Sequence, residues 1–323
     1  MRPTKIIDLH ILTLLAVGFC LFNLTEAVHS ETIKPFKDNL YKYGRVYEAR
    51  DRDAFRRIDY QEMRDINERD EIPVKKAHDK YVDLAPLKDQ REIVVRYGQN
   101  TMEAYEIGNP KDAKFAVIFL HGGGGDKTLG VNDWSFGGNF NRLKNLAVQN
   151  QGVYYSPSVT FDEAGAKGVK AMINEIKSKS PKAKVVVACG SAGADICWWL
   201  ANDRESTEKL SGLVLLGGAS APDEIDKTPA FYQSLPIVIA HGIRDPVVPW
   251  QKMNEQFETL RKLKKNYPVS FLLFDSGNHG TPIRMIDWRE TLNWIFAHNV
   301  QQSERVQQKP VGAPPAQATE VAR

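Results

Sequence analysis

Cysteine is scarce in this sequence, with 3 residues among 323. Cys20 lies in the N-terminal segment, and we expect Cys189 and Cys197 to be small buried apolar side chains rather than a disulfide pair. No histidines and acids have the spacing of metal ligands, so we predict no metal site. Without disulfides or metals, the fold is expected to depend on its hydrophobic core.

An excess of charge of either sign is also lacking. The chain has 43 Lys and Arg against 40 Asp and Glu, a formal net charge of +3. This balance gives no reason to expect nucleic acid as a partner. The slight basic bias is compatible with peripheral contact with an anionic membrane surface but does not require it. A hydrophobic content of 42% is ordinary for a soluble globular protein.

A hydrophobic run of transmembrane length is missing near the N-terminus. The apolar segment at residues 11–24 is shorter than the roughly 20 residues that a spanning helix needs. A basic start precedes it, and Val28 and Ser30 are small enough for the −3 and −1 positions of a signal-peptidase site. We therefore predict a signal peptide over residues 1–30 and export to the periplasm or medium. An uncleaved N-terminal membrane anchor is the alternative.

Residues 31–90 are highly charged and are predicted to form a helical N-terminal extension. Its apolar side chains recur at roughly helical spacing between alternating charges: Phe55, Ile58, Met63 and Ile66. The extension is expected to pack on the main domain through this thin stripe. An arm that binds a membrane surface or a partner is the alternative. At the other end, residues 301–323 are polar and contain prolines, which predicts a disordered tail.

Residues 91–300 alternate apolar runs of strand length with amphipathic helical patterns. Several of the runs are apolar throughout, as expected for central parallel strands that are covered on both faces. The runs are REIVVRY (91–97), KFAVIFL (114–120), GVYYS (152–156), AKVVVAC (183–189), SGLVLL (211–216), LPIVIA (235–240) and VSFLLF (269–274). The alternation predicts one α/β domain with a mainly parallel central sheet and helices on both faces.

Three reactive side chains follow strand-like runs, where an open parallel sheet carries its functional groups. Ser191 lies in CGSAG, Asp245 follows PIVIAHGIR, and His279 follows FLLFDSGN. We predict that they form a catalytic triad. Asp275 is a rival acid, but the HGxxDxxVP context favours Asp245. His298 is a rival histidine, but its position at a helix end favours a capping role.

The residues around the serine indicate a nucleophile at a tight strand-to-helix turn. At such a turn the side chains two positions on either side would collide, and Cys189 and Gly193 are small enough to avoid this. The turn presents Ser191 to solvent. It also directs the N-terminus of the next helix, with the N–H of Ala192, towards the reaction centre.

A glycine-rich segment, HGGGGD, follows another all-apolar run. We expect the N–H groups of Gly123 and Ala192 to form an oxyanion hole. A phosphate-binding P-loop would need Gly-Lys-Ser/Thr, but here an aspartate precedes the lysine, so nucleotide binding is not predicted. His121 and His241 precede glycines at strand ends and are expected to be structural.

The chain resembles the α/β-hydrolase superfamily, in its phospholipase/carboxylesterase and dienelactone-hydrolase-like branch. The segments that carry the resemblance are HGGGGD, CGSAG, HGIRDPVVP and GNHG, within residues 91–300. The resemblance implies a Ser191–His279–Asp245 triad that hydrolyses carboxylic esters through an acyl-enzyme, with no cofactor. The usual Gly-x-Ser-x-Gly pattern is altered, because Cys189 replaces its first glycine.

The sequence says less about the substrate. Trp134 and Phe136 are candidates for lining an acyl pocket, although they equally fit a role in packing their own loop. Residues 219–234 are too few for a large helical lid. Export, the basic bias and the amphipathic extension suit phospholipid acyl esters. A carboxylesterase for small or plant-derived esters and a non-catalytic binding protein on the same fold remain alternatives, whereas a prolyl-oligopeptidase-type peptidase would need room for a propeller.

Overall fold

A computed structural model describes residues 32–219, 221 and 224–299. The predicted signal peptide and the predicted tail lie outside the described residues. Within the described part, no helix has both the length and the apolar character needed to cross a bilayer.

The strands and helices of the described residues alternate along most of the chain. The strands are β1 (Val46–Arg50), β2 (Phe55–Ile58), β3 (Asp70–Glu71), β4 (Lys76–Ala77), β5 (Gln90–Tyr97), β6 (Asn100–Gly108), β7 (Phe115–Leu120), β8 (Gly152–Pro157), β9 (Lys184–Gly190), β10 (Leu210–Leu216), β11 (Ile237–Gly242) and β12 (Val269–Phe274). The helices are α1 (Asp38–Tyr41), α2 (Glu62–Arg69), α3 (Asn139–Gln149), α4 (Glu163–Lys179), α5 (Ala194–Asn202), α6 (Arg204–Lys209), α7 (Pro229–Gln233), α8 (Trp250–Leu263), α9 (Thr281–Met285) and α10 (Trp288–His298).

One 10-stranded sheet organises the fold, in the order β1-β2-β12-β11-β10-β9-β7-β8-β6-β5. The strands from β2 to β8 in this order run parallel to their neighbours. The outer pairs β1–β2, β8–β6 and β6–β5 are antiparallel. β3 and β4 pair separately. The predicted mainly parallel sheet is therefore confirmed.

The all-apolar strands are explained by two hydrophobic layers, one on each face of the sheet. Along β7, Ile118 and Leu120 belong to the layer that contains α4, α5 and α8, whereas Val117 and Phe119 belong to the layer that contains α3 and α10. Since successive strand residues point to opposite faces, a strand that is buried on both sides needs no polar positions. The predicted arrangement of helices on both faces is confirmed.

The N-terminal extension differs from its predicted helical form. Phe55 and Ile58 are buried in β2, which pairs with β12 in the main sheet, and the helix α2 begins only at Glu62. Met63, predicted to lie on the buried stripe, is 72% exposed. The prediction of one helical stripe was wrong because the chain reverses between β1 and β2, through three consecutive residues with left-handed backbone at 51–53.

Candidate active site

Ser191 lies at a sharp turn between β9 and α5. Its φ is +48°, a left-handed conformation that is uncommon and costly for a residue other than glycine. The turn is tightly packed, because a Cβ on Gly193 would lie 2.9 Å from the carbonyl oxygen of His121. The small residues around Ser191 therefore allow a strained backbone at the residue that carries the hydroxyl.

Ser191, His279 and Asp245 form a continuous hydrogen-bonded relay. His279 Nε2 lies 2.8 Å from Ser191 Oγ, and His279 Nδ1 lies 2.8 Å from Asp245 Oδ2. The three residues follow β9, β12 and β11, so the parallel sheet brings together groups that are 88 and 34 residues from the histidine. With the proton on Nδ1 donated to Asp245, Nε2 is free to accept the serine proton.

Asp245 is held as a carboxylate. Burial alone would raise the pKa of this side chain, which has no exposed surface. Hydrogen bonds from His241, His279 and the N–H groups of Val247 and Val248 outweigh burial and hold the pKa of Asp245 well below its usual range. The carboxylate is therefore ionised at neutral pH and able to stabilise an imidazolium at His279.

His241 is part of this arrangement, in a role that the sequence analysis missed. It is fully buried, and its Nε2 lies 3.2 Å from Asp245 Oδ2 and 2.8 Å from the carbonyl oxygen of Val248. One Nε2–H is thus shared between the carboxylate and the carbonyl. The signal was present in the HGxxD segment, whose spacing puts His241 four residues before the acid. We infer that His241 positions Asp245.

Gly217, directly after β10, leaves space for the His279–Asp245 pair. Its φ is +64°, and a Cβ there would lie 3.0 Å from the carbonyl oxygen of His279 and 3.7 Å from Asp245 Oδ2. A side chain at this position would push the relay apart as well as strain the backbone.

The glycine-rich segment lies against the nucleophile. A Cβ on Gly122 would be 2.9 Å from Ser191 Cβ, whereas a Cβ on Gly123 would meet no heavy atom within 4 Å. His121 anchors the segment, since its Nδ1–H donates to the Gly122 carbonyl at 2.8 Å and its Nε2 accepts from the Val159 N–H at 3.1 Å. His121 therefore has the structural role expected. The donation of N–H groups from Gly123 and Ala192 to an oxyanion stays a prediction.

The rival acid and histidine have other partners. Asp275 accepts a hydrogen bond from Arg57 Nε at 2.6 Å. His298 stacks on Trp294 at 4.2 Å between ring centroids and contacts the Trp294 carbonyl oxygen through Nδ1. Within the described part of the chain, no hydrogen bond, ion pair or ring contact joins either side chain to the relay.

Cys189 and Cys197 form a disulfide, which corrects the expectation of two free thiols. The strand end and the first turn of α5 fold back on each other, so the two Cα atoms lie 6.3 Å apart, within the usual range for a disulfide. Both residues are fully buried, as expected. The disulfide therefore ties the strand before Ser191 to the helix after it.

The two aromatic residues proposed for substrate contact lie in different surroundings. Trp134 packs its loop against the β3–β4 pair: its carbonyl accepts from the Ala77 N–H at 2.9 Å, and Lys76 Nζ lies 4.2 Å from its ring centroid. Phe136 lines a cavity of about 270 Å³ beside the loop that carries His279. The packing role fits the contacts of Trp134, and the substrate-contact role stays a prediction for both residues.

The same cavity is bordered by the N-terminal extension. Residues on both sides of His279 line it, as do the extension residues Tyr60, Glu62, Ile66 and Lys75. Asn278 Nδ2 also donates to Glu62 Oε1 at 2.7 Å. Sequence reasoning did not connect the extension with the site, because the contact joins residues 216 positions apart.

A second cavity, of about 570 Å³, lies along α5. Its lining includes the apolar side chains of Trp198, Trp199 and Ile225 together with the polar Asp195 and Thr228. Asp195 is four residues after Ser191 on the same turn-and-helix segment, so this cavity extends along the helix that follows the nucleophile.

Comparisons with known proteins place the chain by its fold. No protein-family model matches it, and no curated protein matches it in sequence. Among solved structures it is similar to a thermostable esterase (TM-score 0.53, 17% identity), over 66% of this chain and 64% of that one. It also matches a Pyrococcus furiosus esterase (TM-score 0.49, 14% identity, 67% and 95% of the two chains) and a candidate dienelactone hydrolase from Klebsiella pneumoniae (TM-score 0.46, 13% identity, 66% and 98%). At these identities, the likeness to the thermostable esterase shows the fold alone.

Proposed function

The chain has the α/β-hydrolase fold, and we propose that it is a serine hydrolase that cleaves carboxylic acyl esters. The observation that carries the proposal is the relay in which His279 lies 2.8 Å from both Ser191 Oγ and Asp245 Oδ2. A hydrogen-bonded serine–histidine–carboxylate chain whose serine lies at a strained turn is the arrangement that nucleophilic catalysis needs. A non-catalytic binding protein would have no need of it.

The reaction follows from the order of the three groups. His279 Nε2 removes the Ser191 proton as the hydroxyl attacks the ester carbonyl, and Asp245 stabilises the resulting imidazolium. His279 then donates this proton to the leaving alcohol, which departs and leaves an acyl-enzyme. Water, activated by the same histidine, releases the acid. The N–H groups of Gly123 and Ala192 are proposed to bind the oxyanion, each contributing about 3 to 4 kcal/mol in the transition state.

Phospholipid is the proposed source of the ester. The cavity of about 570 Å³ beside α5 has a volume in the range of small-molecule sites, and its Trp198, Trp199 and Ile225 side chains suit an acyl chain. The slight positive net charge would favour an anionic lipid surface.

Export of the protein is part of the proposal. Structural disulfides persist mainly in oxidising compartments such as the periplasm or the extracellular space, and the Cys189–Cys197 disulfide fits this setting. The apolar segment at residues 11–24 would supply the signal.

The experiment that tests the function is fatty-acid release from phospholipid vesicles, with the Ser191→Ala variant as the blank. A short-chain nitrophenyl ester and a fluorophosphonate probe are run alongside. Release that the substitution abolishes supports a phospholipase. Cleavage of the short ester alone would retain the hydrolase and replace phospholipid by small soluble esters. Absence of both cleavage and Ser191 labelling in folded protein would refute an active serine hydrolase.

A further inference from the structure

The cavity beside His279 lies between the N-terminal extension and the catalytic domain. Its volume is about 270 Å³. It is lined by Tyr60, Glu62, Ile66, Lys75, Ser135, Phe136, Asn278, Gly280, Thr281 and Arg284. Asn278 and Gly280 flank the histidine in the chain, and a Cβ on Gly280 would lie 3.5 Å from Phe136 Cε1. The cavity therefore borders the loop that carries His279.

This location indicates which half of an ester the cavity receives. In the proposed reaction His279 donates a proton to the oxygen of the leaving alcohol, so the alcohol must lie on the histidine side of the scissile bond. A cavity of about 270 Å³ is slightly smaller than the range of roughly 300–1,000 Å³ found for drug-sized ligands. It suits a small alcohol group better than a long acyl chain.

The lining contains hydrogen-bond donors that have no partner among the described residues. Arg284 Nη1 and Ser135 Oγ are buried and unpaired. Lys75 is exposed at the edge of the cavity, and no ion pair or hydrogen bond involves its ammonium group within the described part. Buried donors normally find an acceptor, so unpaired ones around a cavity point to an acceptor that a ligand supplies.

The charges around the cavity favour an anion. The one carboxylate in the lining, Glu62, already accepts from Asn278 Nδ2 at 2.7 Å. Behind the wall, Arg284 Nη2 pairs with Asp70 Oδ2 at 2.7 Å, and Arg69 Nη1 donates to the Arg284 carbonyl at 2.9 Å. Arg69 therefore reaches the Arg284 backbone and not the Asp70 carboxylate, and Arg284 Nη1 has no hydrogen-bond partner among the described residues. Gly137 packs close to this nitrogen, because a Cβ there would lie 3.0 Å from Nη1.

We propose that this cavity binds an anionic group, a phosphate or a carboxylate, on the alcohol half of the ester. Lys75, Ser135 and Arg284 would donate to its oxygens, so the N-terminal extension would take part in substrate selection through Lys75. This inference rests on the proposed ester hydrolysis for its assignment of the alcohol side. It names a substrate class in which the leaving alcohol carries a negative charge.

The test uses three butyryl esters that differ only in the alcohol: glycerol, glycerate and glycerol 3-phosphate. kcat/KM is measured for the wild type, Lys75→Glu, Ser135→Ala and the control Lys88→Glu, which makes the same charge change at an exposed lysine outside the cavity. The wild type should prefer one or both anionic esters to the glycerol ester. Lys75→Glu should reduce this preference about tenfold, the loss of one charge-assisted contact. Ser135→Ala should reduce it less, and Lys88→Glu should leave it unchanged.

Binding of the free alcohols, glycerol, glycerate and glycerol 3-phosphate, to Ser191→Ala protein by calorimetry supplies a readout that does not depend on turnover. Binding of an anionic alcohol that Lys75→Glu abolishes supports the cavity even if no ester is cleaved, in which case only the proposed function fails. The two anions distinguish phosphate from carboxylate. Equal kcat/KM for all three esters, or equal binding of glycerol and the two anions, would overturn the inference and leave the hydrolase intact.

Discussion

Glu62 of the N-terminal extension accepts a hydrogen bond from Asn278, the residue that precedes the histidine of the relay, at 2.7 Å. Asn278 in turn accepts from the Gly280 N–H at 3.0 Å through its Oδ1. The loop that carries His279 is thus fixed from within and from the extension. The extension is joined to the same loop by β2, since the Asp275 N–H donates to the Ile58 carbonyl.

Removal of the Glu62 carboxylate should make the position of the His279 side chain less well defined. We expect Glu62→Ala to lower kcat for a neutral nitrophenyl ester by about tenfold with little change in KM, because misplacement of a catalytic group costs rate more than binding. Glu62→Gln keeps an acceptor oxygen and should restore most of kcat. Glu68→Ala, at an exposed position on the same helix, is the matched control. Equal activity of Glu62→Ala and the control would show that Glu62 does not position the loop.

His241 should matter to the relay although it is not expected to contact substrate. We expect His241→Phe to lower kcat by about tenfold and the free energy of unfolding by about 1–3 kcal/mol, because it leaves a buried carboxylate short of one donor. His241→Gln can place an amide N–H near the Nε2 position and should recover part of both losses. The measurements are steady-state kinetics and urea unfolding. A large loss of stability with unchanged kcat would assign His241 to packing alone.

Local chemistry made the strands and the site residues predictable. Short, Val-rich apolar runs such as that of β9 favour strands covered on both faces, and the small residues around Ser191 indicate the turn. The relay then follows from strand order, since the groups after β9, β11 and β12 meet at one edge of a parallel sheet.

Features that depend on distant partners were not predictable in this way. The strand β2 carries Arg56 and Arg57, whose acidic partners are Glu290 and Asp275, more than 200 positions away. Because these partners are not visible in the local sequence, the charged segment was predicted to be a solvated helix. The disulfide depends on the angle between β9 and α5. This angle cannot be inferred from the number of residues between the two cysteines. Nothing local connects Glu62 with the histidine loop.

The Cys189–Cys197 disulfide should stabilise the fold by closing a short loop. Replacement of both cysteines by alanine should lower the free energy of unfolding by about 2–3 kcal/mol, as the chain-entropy relation gives for a loop of this length. Adding a reductant should lower the free energy of unfolding of the wild type by a similar amount. The same treatment should leave the free energy of unfolding of the double variant unchanged. Mass spectrometry after alkylation without reductant should find no modified Cys189 or Cys197. Alkylation of both thiols in unreduced, denatured protein would show that the disulfide does not form.

The low pKa of Asp245 predicts how stability depends on pH. The hydrogen bonds from His241, His279 and the Val247 and Val248 N–H groups outweigh the effect of burial, so the folded protein holds a proton on this carboxyl less readily than the unfolded chain. The stabilisation is present above the unfolded pKa of about 4 and is lost as the pH falls through that value towards the lower folded pKa. Urea unfolding of the wild type and Asp245→Asn at pH 6, 4 and 3 measures this effect. The stability difference should shrink as the pH falls, and a constant difference would mean that the pKa of Asp245 is the same in the folded and unfolded states.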